Sequence, residues 1–172
     1  MSKAEANVGE LHVRPARQDD ATLIHGLILE IADYEKLRHE VVARVEDIRE
    51  ALFPQHGLAI AHALIGEIDG TAQGYALYFF NFSTFVGRAG LYLEDVFVRP
   101  AFRGRGLGKA LLVALADVAR MRNCGRMEWS VLDWNTPAIE FYRTLGSRSM
   151  DGWTVHRLDE AALNRLADQV RR

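Results

Sequence analysis

Cysteine is almost absent from this chain, since Cys124 is the only one in 172 residues. A single thiol cannot form an intramolecular disulfide. The first ten residues, MSKAEANVGE, lack the apolar core of a signal peptide. No apolar run approaches the roughly 20 residues that a membrane-spanning helix needs. We therefore expect a cytoplasmic protein with no membrane partner.

The chain also lacks an excess of charge of either sign, because 21 Lys and Arg stand against 23 Asp and Glu, a net charge of −2. Nucleic-acid-binding domains usually carry a marked basic excess or a basic face, so we expect no nucleic-acid partner. The 6 histidines show neither H-x-x-x-H spacing nor pairing with cysteine, and we expect no metal. Cys124 has no neighbouring His in the sequence, which favours an inert thiol over a covalent nucleophile.

Length and patterning predict one globular domain, 11–172, preceded by a polar tail, 1–10. Runs of apolar residues and turn signals alternate along this domain. The predicted strands are 11–17, 58–68, 72–82, 90–98, 126–134 and 153–158. The predicted helices are a first one from Asp19 or Asp20 to about Leu37, and 46–53, 109–121 and 136–145. Interleaved strands and helices predict an α/β or α+β fold with a mixed sheet.

A glycine-rich loop, Arg103-Gly104-Arg105-Gly106-Leu107-Gly108, lies between a predicted strand and a predicted helix. It does not fit a dinucleotide-binding G-x-G-x-x-G, because the third glycine position holds Lys109. It does not fit a phosphate-binding NTPase loop either, because Ala110 stands where Ser or Thr is required and Arg103 where the first glycine is required.

The remaining pattern is Arg-x-x-Gly-x-Gly opening a helix, in which backbone N–H groups converge on an anion at the positive end of the helix dipole. Glycine allows a close approach and a positive φ. Positive side chains at 99, 103, 105 and 109 add local charge to a chain that is slightly acidic. The loop therefore predicts a pyrophosphate site.

The loop belongs to a longer pattern, LYLEDVFVRPAFRGRGLG followed after a helix by VLDWNTPAIEFYRTLG. Together these segments resemble the acetyl-CoA-binding core of the GNAT superfamily. Within it, the chain is similar to the diamine acetyltransferases, the spermidine/spermine group and its thialysine-acetylating relatives. The similarity runs from Val13-Arg14-Pro15-Ala16 to Gly146 and includes Gly152-Trp153. It implies a GNAT acyltransferase fold with splayed central strands and flanking helices, acetyl-CoA as co-substrate, a small-molecule amine as acceptor, and a homodimer.

Acetyl transfer requires a neutral amine, whereas a lysine-like amine has a pKa near 10.4 and is mostly protonated at pH 7. A carboxylate can bind the cation and take the proton. Glu94 and Asp95 are the candidates, but strand alternation sends adjacent side chains to opposite faces unless the strand is bulged. The resemblance implies that Glu94 is the base or proton relay and that Tyr142 is the general acid for the departing thiolate. Helical spacing puts Tyr142 on the same side as Asn135 and Ile139.

The resemblance also implies a set of residues that bind acetyl-CoA through backbone or side chain. These are Val96, Phe97, Val98, Arg103, Gly104, Arg105, Gly106, Leu107, Gly108, Lys109, Asn135, Pro137, Ala138 and Tyr142.

The acceptor side of the site is predicted at Tyr34 and Glu35, with Glu94 and Asp95, by the same resemblance. The basic residues of 36–39 argue against a long polycation and favour a smaller acceptor that carries a carboxylate. We therefore hypothesise a short diamine or a lysine-like, thialysine-type substrate. Polyamine acetylation, peptide N-acetylation and a non-catalytic acyl-CoA-binding regulatory module remain open alternatives.

Overall fold

A computed structural model describes residues 9–169, so residues 1–8 of the predicted tail lie outside it. The described residues divide into two compact units, with the boundary between Ser130 and Val131. The first contains the sheet and three helices, and the second contains two helices. The mixed α/β fold is confirmed, whereas the single domain over 11–172 stays a prediction.

The sheet has five strands in the order β1-β2-β3-β4-β5. The first four pair antiparallel with their neighbours, and β5 pairs parallel with β4. The strands are β1 (Leu11–Pro15), β2 (His62–Ile68), β3 (Thr71–Ser83), β4 (Arg88–Val98) and β5 (Met127–Trp129).

The predicted β2–β3 hairpin is confirmed, with Asp69 (φ 50°) and Gly70 (φ 73°) at its turn. Two consecutive positive φ values are typical of a type I′ turn, whose twist matches that of paired strands. The first strand of the hairpin begins at His62 rather than at residue 58.

Helices cover both faces of this sheet: α1 (Ala21–Glu35) and α2 (Val45–Leu52) one face, α3 (Leu107–Met121) the other. Ile24 and Leu27 of α1 pack with Tyr75 and Phe97 of the sheet in one buried cluster. The predicted cap of α1 differs in detail, because the carboxylate of Asp20 makes no side-chain cap and instead pairs with Arg14.

The second unit contains α4 (Thr136–Thr144) and α5 (Glu160–Asp168). The predicted strand at 153–158 is wrong, because this segment has no ladder partner among residues 9–169, and apolar alternation alone does not supply one. Helix α5 was not predicted, although Asp159 signals its start by accepting a hydrogen bond from the Ala162 N–H at 2.7 Å. The predicted strand 126–134 is shortened to β5.

Candidate active site

Strand β4 is bulged at Glu94. Without a bulge, the adjacent side chains of Glu94 and Asp95 would lie on opposite faces of the sheet. Leu77 of β3 lies opposite Asp95 and Tyr78 lies opposite Leu93, which leaves Glu94 without a cross-strand partner. The extra residue changes the face on which the following side chains lie. Asp95 and Phe97 therefore share the α1 face, and Glu94 is exposed to solvent.

A group of acidic side chains converges beside this bulge. Burial and the charge of Asp95 raise the pKa of Glu35, at the end of α1. Burial raises the pKa of Asp95 as well, and the charge of Glu94 adds to this effect. Each effect disfavours the ionised carboxylate. A cation placed among these side chains would relieve both effects, so the cluster suits an ammonium group.

Tyr75 is a buried partner of this acidic group that the sequence reasoning did not identify. Its phenol donates a hydrogen bond to Asp95 Oδ2 at 3.0 Å, and its side chain is fully buried. Burial and the surrounding carboxylates raise the pKa of this phenol well above its usual value, so the hydroxyl remains a donor. Tyr75 lies on the same face as Asp95 because of the register between β3 and β4, and the sequence alone does not reveal this register.

The glycine-rich loop has the backbone geometry predicted for it. Gly104 has φ 76° and Gly106 has φ 91°, both in the left-handed region. Gly106 is the N-cap of α3, and no side chain caps this helix end. A Cβ at Gly104 would meet no described atom within 4 Å, so open space lies against the backbone there. Uncapped N–H groups beside open space fit a bound phosphate.

The arginines around this loop differ in what they contact. Arg99 donates to both carboxylate oxygens of Glu30 on α1, at 2.7 and 2.9 Å, so its charge is neutralised within the fold and not added to the loop. Arg105 lies over the ring of Phe102, at 5.3 Å. Lys109 is exposed on the first turn of α3.

Arg103 points toward the acceptor side of the site. Its guanidinium carbon lies 4.4 Å from the ring centroid of Tyr34 and 5.7 Å from that of Phe97. Its Nε donates to the carbonyl of Val98 at 2.9 Å. The first residue of the predicted cofactor loop is thus in contact with a predicted substrate-binding tyrosine.

The second half of β4 has one free edge. The β4–β5 ladder ends at Leu93 and Trp129. Within residues 9–169 no strand pairs with Val96–Val98 on that side. This opening agrees with the splayed strands that the resemblance implied, and the only described group that bonds the β4 backbone on that side is Arg103, at the Val98 carbonyl.

The second unit contains the remaining predicted residues. Asn135 is the N-cap of α4, where its Oδ1 accepts from the Ala138 N–H at 3.4 Å, and Pro137 lies in the first turn. Tyr142 lies on the same helix, with its ring centroid 5.6 Å from that of Phe141. Asn135 thus caps the helix on which Tyr142 lies, and the roles of the two side chains at the cofactor stay predictions.

The comparisons with known proteins agree with this geometry. A profile of the acetyltransferase (GNAT) family matches residues 28–146, more than half of the chain. The chain belongs to the GNAT family of acetyltransferases.

The chain is 37% identical over 166 residues to the thialysine N-epsilon-acetyltransferase of Sus scrofa, covering 90% of this chain and 96% of the relative. It is 28% identical over 197 residues to the L-ornithine N5-acetyltransferase of Arabidopsis thaliana, covering 90% and 86%. Its fold is similar to that of an integron cassette protein from the mobile metagenome of V. cholerae, with a TM-score of 0.75, 24% identity and coverage of 91% and 97%. The protein is therefore a GNAT N-acetyltransferase, and acetyltransferases of this family use acetyl-CoA as co-substrate.

The basic residues after Glu35 do not act alike in this GNAT domain. Arg38 pairs with Asp33 at 2.9 Å, and His39 lies 3.9 Å from Glu40. Lys36 is exposed and has a left-handed φ of 63° at the end of α1. Among the described residues, Lys36 therefore forms no ion pair, unlike Arg38 and His39. It directly follows Glu35 in the chain.

The described part of this GNAT chain lacks two further features. None of its helices is both long and apolar enough to cross a membrane. No group of three or more His, Cys, Asp or Glu side chains in residues 9–169 is placed to hold a metal ion.

Proposed function

We propose that this GNAT enzyme transfers an acetyl group from acetyl-CoA to a primary amine of a small lysine-like or diamine acceptor. The observation that carries the proposal is the acidic group of Glu35, Glu94 and Asp95 at the bulge, within the same unit as the glycine-rich loop. An acidic group of side chains suits a cationic acceptor, and the loop suits an anionic co-substrate.

The loop supports acetyl-CoA as the co-substrate. Backbone N–H groups of Gly104 to Lys109 would hold the pyrophosphate at the start of α3, where the helix dipole favours negative charge. The free edge of β4 at Val96–Val98 would bind the amide-containing arm by backbone hydrogen bonds. In the second unit, Asn135, Pro137 and Ala138 at the start of α4 are the further residues proposed to bind acetyl-CoA. When bound, acetyl-CoA would supply the acyl group, and CoA would leave as the thiol.

The proton balance of the reaction assigns roles to two side chains. Removing a proton from an amine of pKa near 10.4 at pH 7 costs about 4 to 5 kcal/mol. Glu94, exposed at the bulge, takes this proton directly or through water, and the neutral amine attacks the thioester. Tyr142 donates a proton to the departing sulfur. Glu94→Gln and Tyr142→Phe should each lower kcat strongly without unfolding the protein, and unchanged turnover in either variant would remove that residue's role.

The acceptor class follows from charge and from the relatives' substrates. Thialysine and ornithine are amino acids that each carry a terminal amine, a second amine and a carboxylate. Glu35 and Asp95 suit the amines, and Lys36 provides a cation beside them for a carboxylate. A long polyamine would bring several positive charges to Lys36, which disfavours polyamine acetylation.

A panel of acceptors tests this proposal directly. We expect thiol release from acetyl-CoA with thialysine, ornithine, lysine and short diamines, at a higher kcat/KM than with spermidine, spermine or an N-terminal peptide amine. A higher kcat/KM for spermine would favour the polyamine alternative. CoA binding without thiol release for any amine would favour the non-catalytic regulatory module.

The homodimer implied by the resemblance is also part of this proposal. Trp153, Val155 and Leu158 of the second unit are 75%, 82% and 50% exposed in the single chain, and burying such apolar surface favours association. We expect twice the chain mass in sedimentation equilibrium at micromolar concentration, and a monomer there would contradict it. The cytoplasmic location and the lack of nucleic-acid and membrane partners remain predictions from the sequence.

A further inference from the structure

The acceptor site contains one hydrogen bond that links it to the hydrophobic core. Tyr75 of β3 packs among Ile24, Leu27 and Phe97, and its phenol donates to Asp95 Oδ2 at 3.0 Å. The ring is therefore fixed by packing, and the hydroxyl has a fixed position from which to orient the carboxylate.

The second oxygen of Asp95 is left for a ligand. Oδ1 accepts no hydrogen bond from the part of the chain that the structure describes, and the side chain is only partly buried. A carboxylate with one oxygen fixed and the other accessible presents a single acceptor direction to an ammonium group.

We infer that Tyr75 is a positioning residue for the amine acceptor, because it orients the Asp95 carboxylate and through it sets the affinity for the cationic substrate. This inference rests on the proposed function, in which Asp95 binds the acceptor amine. It adds a core residue of β3 that lies outside the acetyl-CoA loop in the sequence.

The electrostatics of the site give this role a measurable sign. Three effects act on the pKa of Asp95: burial raises it, the hydrogen bond from Tyr75 on β3 lowers it, and the neighbouring charge of Glu94 on β4 raises it. The facing carboxyl of Glu35 on α1 has its own pKa raised by Asp95. Removing the phenol therefore raises the pKa of Asp95, and the carboxylate becomes protonated at higher pH than before.

The first test is Tyr75→Phe, which keeps the ring in the core. We expect the KM of the amine to rise roughly tenfold at pH 7, a free-energy change of about 1.4 kcal/mol. The acidic limb of kcat/KM for the amine should move to higher pH, and the KM of acetyl-CoA should stay unchanged. The matched control is Tyr78→Phe, which removes the hydroxyl of another buried tyrosine of β3, on the opposite face of the sheet. It should change neither the amine KM nor the acidic limb.

A double-mutant cycle with Asp95→Asn separates positioning from a structural role. If Tyr75 acts through Asp95, Tyr75→Phe causes no further rise in amine KM once Asp95 is Asn. An equal rise in both backgrounds would overturn the inference. So would an unchanged amine KM and pH profile in Tyr75→Phe while Asp95→Asn weakens amine binding, an outcome that leaves the proposed function intact. An unchanged amine KM in Asp95→Asn would reject the acceptor role of Asp95 and the inference with it.

A second variant keeps the inference testable if Tyr75→Phe does not fold. Asp95→Glu leaves the core tyrosine in place but moves the carboxylate by one methylene from the phenol. We expect the amine KM to rise severalfold, with acetyl-CoA KM unchanged. Wild-type amine affinity in this variant would show that the orientation imposed by Tyr75 is unimportant.

Discussion

The guanidinium of Arg103 lies over the ring of Tyr34, 4.4 Å from the ring centroid, and so joins the start of the cofactor loop to the end of α1. A cation–π contact of this kind contributes about 0.5 to 1 kcal/mol at a partly exposed site. Tyr34 belongs to the proposed acceptor site and Arg103 to the proposed acetyl-CoA site. Binding of the two substrates should therefore be coupled through this pair.

Replacing Tyr34 by Leu should weaken acetyl-CoA binding although Tyr34 is assigned to the acceptor. Loss of about 0.5 to 1 kcal/mol corresponds to a KM for acetyl-CoA that is about two- to fivefold higher. Tyr34→Phe is the matched control, because it keeps the ring under Arg103 and should leave that KM unchanged. If Tyr34→Leu has the wild-type KM for acetyl-CoA, the stacking does not hold the loop.

Gly104→Ala should impair acetyl-CoA binding more than it impairs folding. The new Cβ meets no described atom within 4 Å, but φ 76° costs an alanine about 1 kcal/mol and the methyl group occupies the space open to phosphate. Gly70→Ala is the control, because Gly70 has φ 73° and equally open surroundings in the β2–β3 turn. Both variants should lose similar stability in urea melts, and only Gly104→Ala should show a raised KM for acetyl-CoA. An equal KM in both variants would argue against phosphate at this loop.

The sequence predicted those parts of the site that local backbone chemistry determines. Asp69-Gly70 predicted the hairpin turn, and the spacing of Gly104 and Gly106 before an apolar helix predicted a loop whose two glycines have left-handed φ values. The adjacent Glu94 and Asp95 required a bulge, which the register of β3 and β4 contains.

The contacts that it did not predict depend on partners far apart in the chain. Tyr75 meets Asp95 only because the register shift between Leu77 and Tyr78 puts the two on one face. Arg99 meets Glu30 across 69 positions of sequence. The error at 153–158 has the same origin, since alternation marks a possible strand but only a neighbouring edge makes it one.

Arg99→Ala should destabilise the fold rather than the cofactor site. Arg99 donates to both oxygens of Glu30 and, at 3.1 Å, to the carbonyl of Ala72, so it joins α1 to the sheet. Hydrogen bonds to charged groups contribute about 1.5 to 3 kcal/mol, and partial exposure reduces this to about 1 to 2 kcal/mol here. The melting temperature should fall by roughly 2 to 8 °C.

The control for Arg99 is Arg120→Ala. Arg120 forms an exposed pair with Asp117 on α3, three positions away, and such pairs contribute at most a few tenths of a kcal/mol. A calorimetric melt of both variants gives the comparison. Equal melting temperatures would mean that the Arg99–Glu30 pair is no more stabilising than a surface pair.

His62 offers a test of electrostatics away from the proposed active site. It lines a cavity of about 170 Å³ with Tyr78, Phe80 and Arg122. Burial lowers the pKa of His62, and the positive charge of Arg122 lowers it further. Arg122→Met should therefore raise the pKa of His62 toward its usual value of about 6.5 in an NMR titration. Arg120→Met, two residues earlier on α3, should leave it unchanged.

The same shift determines how stability depends on pH. A histidine whose pKa is lowered in the folded state binds its proton more readily when unfolded, so the free energy of unfolding decreases as pH falls below about 6.5. In Arg122→Met the folded and unfolded pKa values lie closer together, and the decrease between pH 7 and pH 5 should be smaller than in the wild type. Urea melts at both pH values measure the difference. An acid loss in Arg122→Met equal to that of the wild type would mean that the charge of Arg122 does not act on His62, and that burial alone keeps the imidazole neutral.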